Sequence, residues 1–175
     1  MLCGGDITLL NSFPEHLSVI LSKLENAGAK INIKGREISL ISNGIINSVD
    51  MITAPYPGFP TDLQAQWMVL MAKSMGSAVI TDEVYSDRFT HVAELNRLGS
   101  NISLNSNIAI IQGVRKLIGA PLMSTDIRAS ASLILGALAA EGTSVISRIY
   151  HIDRGYERIE EKFTSIGADI KRIKE

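Results

Sequence analysis

The pattern of apolar and polar positions is clearest in two short stretches, each interrupted by a turn. In the first, residues 31–33 and 38–40 alternate between apolar and polar side chains on either side of Gly35. In the second, residues 102–104 alternate in the same way, and Ile108 and Ile110 occupy alternate positions after a polar tripeptide. Alternation with a period of two is typical of half-buried strands, and a turn residue between two such runs favours a hairpin. The pattern therefore predicts two β-hairpins.

Two longer apolar runs have the length of helices. One extends from Thr61 to about Gly76, and the other extends from Thr125 to about Gly142. Both begin with threonine and aspartate, which are favoured N-cap residues, and Gln64 follows Thr61 at the spacing of a capping box. We therefore expect two helices with capped N-termini.

The predicted elements recur along the chain. A strand rich in valine and isoleucine follows each long helix, at 78–81 and 144–148. A second helix then ends on a glycine, at Gly28, Gly99 and Gly167, and an isoleucine opens the next strand. The repeat is roughly 70 residues long, which exceeds the 20–50 residues of solenoid repeats. The sequence thus predicts one compact α/β domain of three similar subdomains.

The three units cover roughly 1–45, 46–112 and 113–175, in the order helix, strand, helix, strand, strand. A further strand is expected before the long helix, at 48–53 and 119–123. The first unit lacks its front half and the third lacks the back of its hairpin. We therefore expect the sequence to be a fragment of a longer protein.

The incomplete units also predict self-association. A strand expected at Ala168–Ile173 has no hairpin partner, and the unit that begins at Gly4 lacks its leading elements. Unpaired strand edges pair readily with other chains. The isolated domain is expected to fold and to associate through these ends.

Composition and charge exclude several classes of function. The net charge is −1, with 46% apolar and 20% charged residues, so no broad attraction for nucleic acid or an anionic membrane is expected. No apolar run approaches the ~20 residues of a membrane helix. The single cysteine, Cys3, fits a reducing cytosol, and we expect a cytoplasmic protein. His16, His91 and His151 lack metal-ligand spacing, so no metal site is predicted.

Asp62, Asp126 and Arg128 are the first candidate functional residues. Asp62 ends a loop with three prolines at 53–61, and such a stiff loop can hold a carboxylate in place to accept a hydroxyl proton. Helix capping is the alternative role for both aspartates. Arg128 lies one turn into the second long helix, where a guanidinium strengthens the anion preference of a helix N-terminus. A solvated helix position is its alternative.

Arg88 and Arg154 occupy the same position in two repeat copies. Each follows an aspartate, Asp87 or Asp153, so ordinary ion pairs are the alternative. With Arg128 as a third cation, two arginines at equivalent positions favour a shared anion site. Arginine suits such a site because its planar fork binds carboxylate and phosphate bidentately.

Three motifs carry a resemblance to a known family: FPTDLQAQ at 59–66, DIRASA at 126–131 and YHIDRGYE at 150–157. They resemble the enolpyruvyl transferase family, in particular the branch that uses UDP-N-acetylglucosamine, and the resemblance covers essentially the whole chain. It implies an inside-out α/β barrel domain of three βαβαββ units, the first and last incomplete here. In this family one domain interrupts the other in sequence, which accounts for the missing pieces.

The resemblance also implies a reaction. The 3-hydroxyl of UDP-N-acetylglucosamine attacks C2 of phosphoenolpyruvate, and the tetrahedral intermediate eliminates phosphate, without a cofactor. In the family this is the first committed step of peptidoglycan synthesis, which serves cell-wall biogenesis, cell shape, cell division and the cell cycle. Asp62 matches the family's base, and Arg88, Arg128 and Arg154 match the arginines that hold phosphoenolpyruvate.

Other matches are more peripheral. Val84 matches a contact on the uridine side, with Tyr85 beside it, and Asp126 matches a supporting aspartate at the domain interface. The family's Lys-Asn pair and its cysteine loop are absent, and Cys3 does not match that cysteine. The chain alone is therefore expected to be inactive. The alternatives are the 5-enolpyruvylshikimate-3-phosphate synthase branch and a non-catalytic domain that binds a sugar or a protein partner.

Overall fold

A computed structural model describes residues 1–173 of the chain. The strands are β1 (Gly5–Leu9), β2 (Lys30–Lys34), β3 (Glu37–Ser42), β4 (Met51–Ile52), β5 (Ser77–Thr81), β6 (Asn101–Asn105), β7 (Ile108–Gln112), β8 (Leu117–Ile118), β9 (Pro121–Met123), β10 (Ala140–Glu141) and β11 (Val145–Ser147). The helices are α1 (Ser18–Asn26), α2 (Gln64–Ala72), α3 (Val92–Arg97), α4 (Ile127–Leu138), α5 (Tyr150–Asp153) and α6 (Ile159–Ser165), with 3-10 turns at Pro14–His16 and Thr61–Leu63.

The sheets repeat parts of one pattern. The most complete sheet has the strand order β4-β5-β7-β6, in which β4 and β5 are parallel and the other pairs are antiparallel. The sheet β1-β3-β2 repeats the β5-β7-β6 part with the same antiparallel pairing. The parallel pair β9 and β11 repeats the β4–β5 part. Both predicted hairpins are confirmed, as is the α/β class.

The helices, not the sheets, form the centre of the domain. Eight of the nine residues of α2 are buried, among them Trp67, Met68 and Met71, and α2 packs against α4. The inward residues of β5 and β7, such as Ile80 and Ile111, close over them. Each fully buried large aliphatic side chain contributes roughly 1.5–3 kcal/mol relative to its exposed state. A smaller apolar cluster joins Ala131 and Ile134 of α4 to residues of α5 and α6.

Three local predictions are wrong. Both long helices end earlier than expected, at Ala72 and Leu138. The capping box at Thr61 does not form, because the Thr61 hydroxyl donates to a buried carboxylate and the first helical residues make a 3-10 turn. Residues 168–173 are not a strand, since no described strand lies beside them to complete a ladder.

No helix within residues 1–173 is both long and apolar enough to cross a membrane.

Candidate functional site

Asp62 lies where the proline-rich loop joins α2. The loop is closed on itself, because Ala54 N–H donates to the Phe59 carbonyl at 2.9 Å and Gly58 N–H donates to the Pro55 carbonyl at 2.8 Å. The 3-10 turn that follows begins after Pro60 and has no side-chain cap. The Asp62 side chain is therefore not a helix cap, and 59% of its surface is exposed. The capping alternative for Asp62 is wrong.

Two arginines converge on one oxygen of this carboxylate. Asp62 Oδ1 accepts a hydrogen bond from Arg88 Nη1 at 2.8 Å and another from Arg128 Nε at 2.7 Å. Within residues 1–173 no hydrogen bond reaches Asp62 Oδ2. Arg88 reaches Asp62 instead of its neighbour Asp87, so the local ion-pair alternative for Arg88 is also wrong. The structure thus brings together three of the predicted site residues, from separate parts of the sequence.

These contacts set the ionisation of the cluster. The hydrogen bond and charge of Arg128, together with those of Arg88, hold the pKa of Asp62 below its ordinary value despite a smaller opposing effect of burial. The pKa of Arg128 is correspondingly raised, mainly by its hydrogen bond to Asp62. In this arrangement Asp62 is an ionised counter-ion that shares its charge between two guanidinium groups.

Asp82, which the sequence pattern did not single out, anchors the segment that carries Arg88. It is fully buried and follows β5 directly. Its Oδ1 accepts from the Thr53 hydroxyl at 2.7 Å and its Oδ2 accepts from the Thr61 hydroxyl at 2.7 Å. Burial alone would raise the pKa of Asp82, but these hydroxyls and two backbone N–H groups together hold that pKa below its ordinary value.

The two other donors to Asp82 come from predicted site residues. Val84 N–H and Tyr85 N–H donate to Asp82 Oδ1 at 3.0 and 2.8 Å. The Arg88 guanidinium lies 4.8 Å from the centre of the Tyr85 ring, within the range of a cation–π contact. Val84 and Asp62 both line a cavity of about 220 Å³ under the proline-rich loop. Val84 and Tyr85 thus belong to the same surface as the arginine pair.

Asp126 caps α4, so the capping alternative is confirmed for this aspartate. Its Oδ1 accepts from the backbone N–H groups of Arg128 and Ala129 at 2.8 and 3.0 Å. Burial would raise the pKa of Asp126, but these backbone bonds, the Thr90 hydroxyl and the nearby His91 together hold that pKa below its ordinary value. Thr90 also donates to its Oδ2 at 3.2 Å. By fixing the first turn of α4, Asp126 fixes the position from which Arg128 reaches Asp62.

Arg154 is not part of this cluster. Its side chain is exposed and makes no hydrogen bond or ion pair within residues 1–173. Its neighbour Asp153 instead receives both Arg172 terminal nitrogens, at 2.7 and 2.9 Å, so the local ion-pair alternative is wrong here too. Gly155 lies against Ile127 so closely that a Cβ would overlap that side chain. Arg154 therefore directly precedes a residue that is packed on the start of α4.

The charges of the site suit an anion better than a cation. Each aspartate around the cavity is already bonded to guanidinium, hydroxyl or N–H donors. Among residues 1–173 no three His, Cys, Asp or Glu side chains are grouped closely enough to hold a metal ion. By contrast, the guanidinium groups of Arg88 and Arg128 share one oxygen of Asp62 and so keep N–H donors for an anion.

Comparisons with known proteins agree with this geometry. Residues 1–163 match the family model described as EPSP synthase (3-phosphoshikimate 1-carboxyvinyltransferase). The chain is 51% identical to the UDP-N-acetylglucosamine 1-carboxyvinyltransferase of Desulfosudis oleivorans, over 98% of this chain and 41% of the relative. It is 52% identical to the protein of that name from Chlorobium chlorochromatii, over 98% of this chain and 40% of the relative. The chain thus spans about 40% of the length of these relatives.

Solved structures show the same fold. The enolpyruvyl transferase NikO from Streptomyces tendae matches with a TM-score of 0.80 and 27% identity, over 89% of this chain and 36% of that chain. An EPSP synthase from Acinetobacter baumannii matches with a TM-score of 0.71 over 97% of this chain and 40% of that chain, at 16% identity, which supports the fold alone. The expected family is confirmed. This chain belongs to the EPSP synthase (3-phosphoshikimate 1-carboxyvinyltransferase) family of enolpyruvyl transferases.

Proposed function

We propose that this chain is part of an enzyme that transfers the enolpyruvyl group of phosphoenolpyruvate to the 3-hydroxyl of UDP-N-acetylglucosamine. The hydroxyl oxygen bonds to C2 of phosphoenolpyruvate and a proton adds to C3. Loss of that extra proton and of inorganic phosphate then restores the double bond. The observation that carries this proposal is the identity of about 50%, over nearly the whole chain, to relatives named for this transfer.

The arginine pair supports a role in holding the anionic substrate. Arg128 uses only Nε on Asp62, and Arg88 uses only Nη1 on its partners, so both guanidinium groups keep N–H donors for a ligand. Guanidinium forks bind carboxylate and phosphate bidentately, and phosphoenolpyruvate has both groups. Exposed Arg154 would add a third fork from the neighbouring segment.

Asp62 acts as the base in this proposal, and its pKa depends on whether the two arginines are paired with it or with the substrate. Paired with two arginines it is a weak base, because the pairing lowers its pKa. Phosphoenolpyruvate carries more negative charge than one carboxylate and competes for the same guanidinium groups. Its binding therefore loosens the pairing and raises the pKa of Asp62 towards its ordinary value. Oδ2, which has no partner among the described residues, then faces the sugar hydroxyl.

The remaining site residues take supporting roles. Val84 and Tyr85 contact the uridine side of the nucleotide sugar, and the cavity that Val84 shares with Asp62 would place the sugar next to the base. Asp126 holds the start of α4 and, with it, Arg128. In this proposal the groups that close the site from the opposite side belong to the rest of the parent enzyme, so the chain alone is inactive. The parent enzyme catalyses the first committed step of peptidoglycan synthesis, in the cytoplasm.

The direct test is phosphate release by the parent enzyme with phosphoenolpyruvate and UDP-N-acetylglucosamine. Arg128→Lys keeps the charge but loses the fork, so it should raise the KM for phosphoenolpyruvate by about 10-fold or more. Arg158→Lys is the matched control, because Arg158 pairs with Glu161 on the exposed surface. Shikimate 3-phosphate replaces the acceptor in a parallel assay. Turnover with that acceptor, or none with the nucleotide sugar, would contradict the proposal.

A further inference from the structure

The geometry points to Asp82 as a positioning residue that fixes Arg88 in the anion site through the hydroxyl of Thr61, an inference that rests on the proposed function. Asp82 touches none of the space open to a ligand, since it is fully buried. Asp82 acts on Arg88 through the Thr61 hydroxyl and through the backbone segment that follows β5. Each of these contacts Arg88.

The first connection is the Thr61 hydroxyl. A hydroxyl has one proton to donate and two lone pairs to accept with. Thr61 gives its proton to Asp82 Oδ2 at 2.7 Å, so its lone pairs face Arg88, whose Nη1 donates to it at 3.1 Å. The same Nη1 donates to Asp62 Oδ1. Because its proton is donated to Asp82, the Thr61 hydroxyl can only accept from Arg88. It thereby positions Arg88 Nη1, the nitrogen that pairs with Asp62.

The second connection is the backbone after β5. Asp82 Oδ1 accepts from Val84 N–H and Tyr85 N–H, which folds this segment into a tight turn. The Tyr85 ring then lies against the Arg88 guanidinium at 4.8 Å. One buried carboxylate thus fixes both a polar and an aromatic contact of the same arginine, and only 19% of the Arg88 side chain remains exposed.

The third repeat unit supplies an internal comparison. Thr53 N–H donates to the Thr81 carbonyl in one unit, and Ser124 N–H donates to the Ser147 carbonyl in the other. The residue after the strand is Asp82 in the first case and Arg148 in the second.

Arg88 and Arg154 are equivalent in the same alignment of the units. Without a carboxylate at position 148, Arg154 is exposed and makes no hydrogen bond within residues 1–173. The unit that has the carboxylate holds its arginine, and the unit that lacks it does not.

Thr53 provides a control for the connection through the Thr61 hydroxyl. Its own hydroxyl donates to the same carboxylate at the same 2.7 Å and accepts from the Glu83 and Val84 N–H groups, but it makes no contact with Arg88. In the parent enzyme, Thr61→Val and Asp82→Asn should each raise the KM for phosphoenolpyruvate by about 10-fold, the effect of losing a hydrogen bond to a charged group. Thr53→Val should lower the melting temperature comparably yet change that KM by less than about two-fold. The Val84 and Tyr85 N–H groups keep their bonds to Asp82, and Arg88 keeps its bonds to Thr61 and Asp62. Thr61→Ser keeps the hydroxyl and should restore the wild-type KM.

An equal KM for phosphoenolpyruvate in Thr61→Val and Thr53→Val would overturn the inference, as would a failure of Thr61→Ser to restore it. A crystal structure of parent Thr61→Val gives a second measurement that does not depend on activity. There Arg88 should leave Asp62 Oδ1, and an unmoved Arg88 refutes the positioning role. An unaltered parent without transferase activity refutes the proposed function instead, and leaves the crystal structure to decide the role of Asp82.

Discussion

Replacing Asp62 with asparagine in the parent enzyme separates its part in catalysis from its part in folding. Asparagine has the same shape, and its amide oxygen can still accept from Arg88 and Arg128. What it loses is the negative charge and the ability to take a proton. The change therefore removes the base and leaves the loop, α2 and the two arginines near their places.

The two expected effects differ in size. Loss of a positioned general base lowers kcat by about 10²- to 10⁴-fold, which corresponds to roughly 3–5 kcal/mol in the barrier. The loss in folding stability is smaller, because Asp62 is 59% exposed and exposed ion pairs contribute only about 0.2–1 kcal/mol each. A variant that is nearly as stable as the wild type but almost without turnover is the expected result.

The assay measures kcat by phosphate release and stability by thermal denaturation of the same preparation. Glu161→Gln is the matched control, because it neutralises an exposed carboxylate paired with Arg158, away from the site. It should leave both quantities unchanged. If Asp62→Asn keeps near-normal kcat, Asp62 is not the base. If it lowers kcat only as far as it lowers stability, its role is structural.

Three further outcomes are expected from the same structure. The chain alone should release no phosphate above a no-enzyme control when both substrates are present, because groups on one side only cannot close on a transition state. In the parent, Arg154→Lys should weaken use of phosphoenolpyruvate far more than binding of UDP-N-acetylglucosamine, and equal loss for both would indicate a role in folding. Burial lowers the pKa of His91 to about 4, so on acidification the unfolded chain takes up this proton before the folded chain does. The free energy of unfolding should therefore be highest above about pH 6.5 and fall by about 3 kcal/mol as the pH approaches 4. In His91→Gln it should depend less on pH.

The features that the sequence predicted are those with a local or repeated signal. The hairpin around Gly35 depends on alternation within ten or so residues and on a turn residue, so it could be read directly. The arginines at 88 and 154 were found because the repeat puts them at equivalent positions. Asp62 could not be assigned from its surroundings alone, because a threonine and an aspartate at the start of an apolar run indicate a cap as readily as a base. The structure excludes the cap, because the Asp62 carboxylate accepts from Arg88 and Arg128 and not from a helix N–H group.

The features that were missed depend on contacts between distant residues. Asp82 follows a strand without any motif, and its importance lies in hydroxyls 21 and 29 positions away. The only available signal was the difference between repeat copies, aspartate in one and Arg148 in the other. Arg172 gave no signal either, because its pairing with Asp153 depends on how the end of the chain folds back over α6. The strand expected at Ala168–Ile173 failed for the related reason that a strand needs a neighbour.

The central position of α2 reverses the usual distribution of mutational tolerance. In most α/β proteins a helix has one outward face on which substitutions cost little, while the sheet in the middle accepts few changes. Here Ala65, Leu70 and Met71 are buried on different faces of one helix, so no face of α2 is free to vary. The outward positions of the strands, such as Val79 and Ile110, are exposed instead. Saturation mutagenesis should therefore show a tolerant sheet surface around an intolerant helix, and designers who wish to alter this domain should work on its strands.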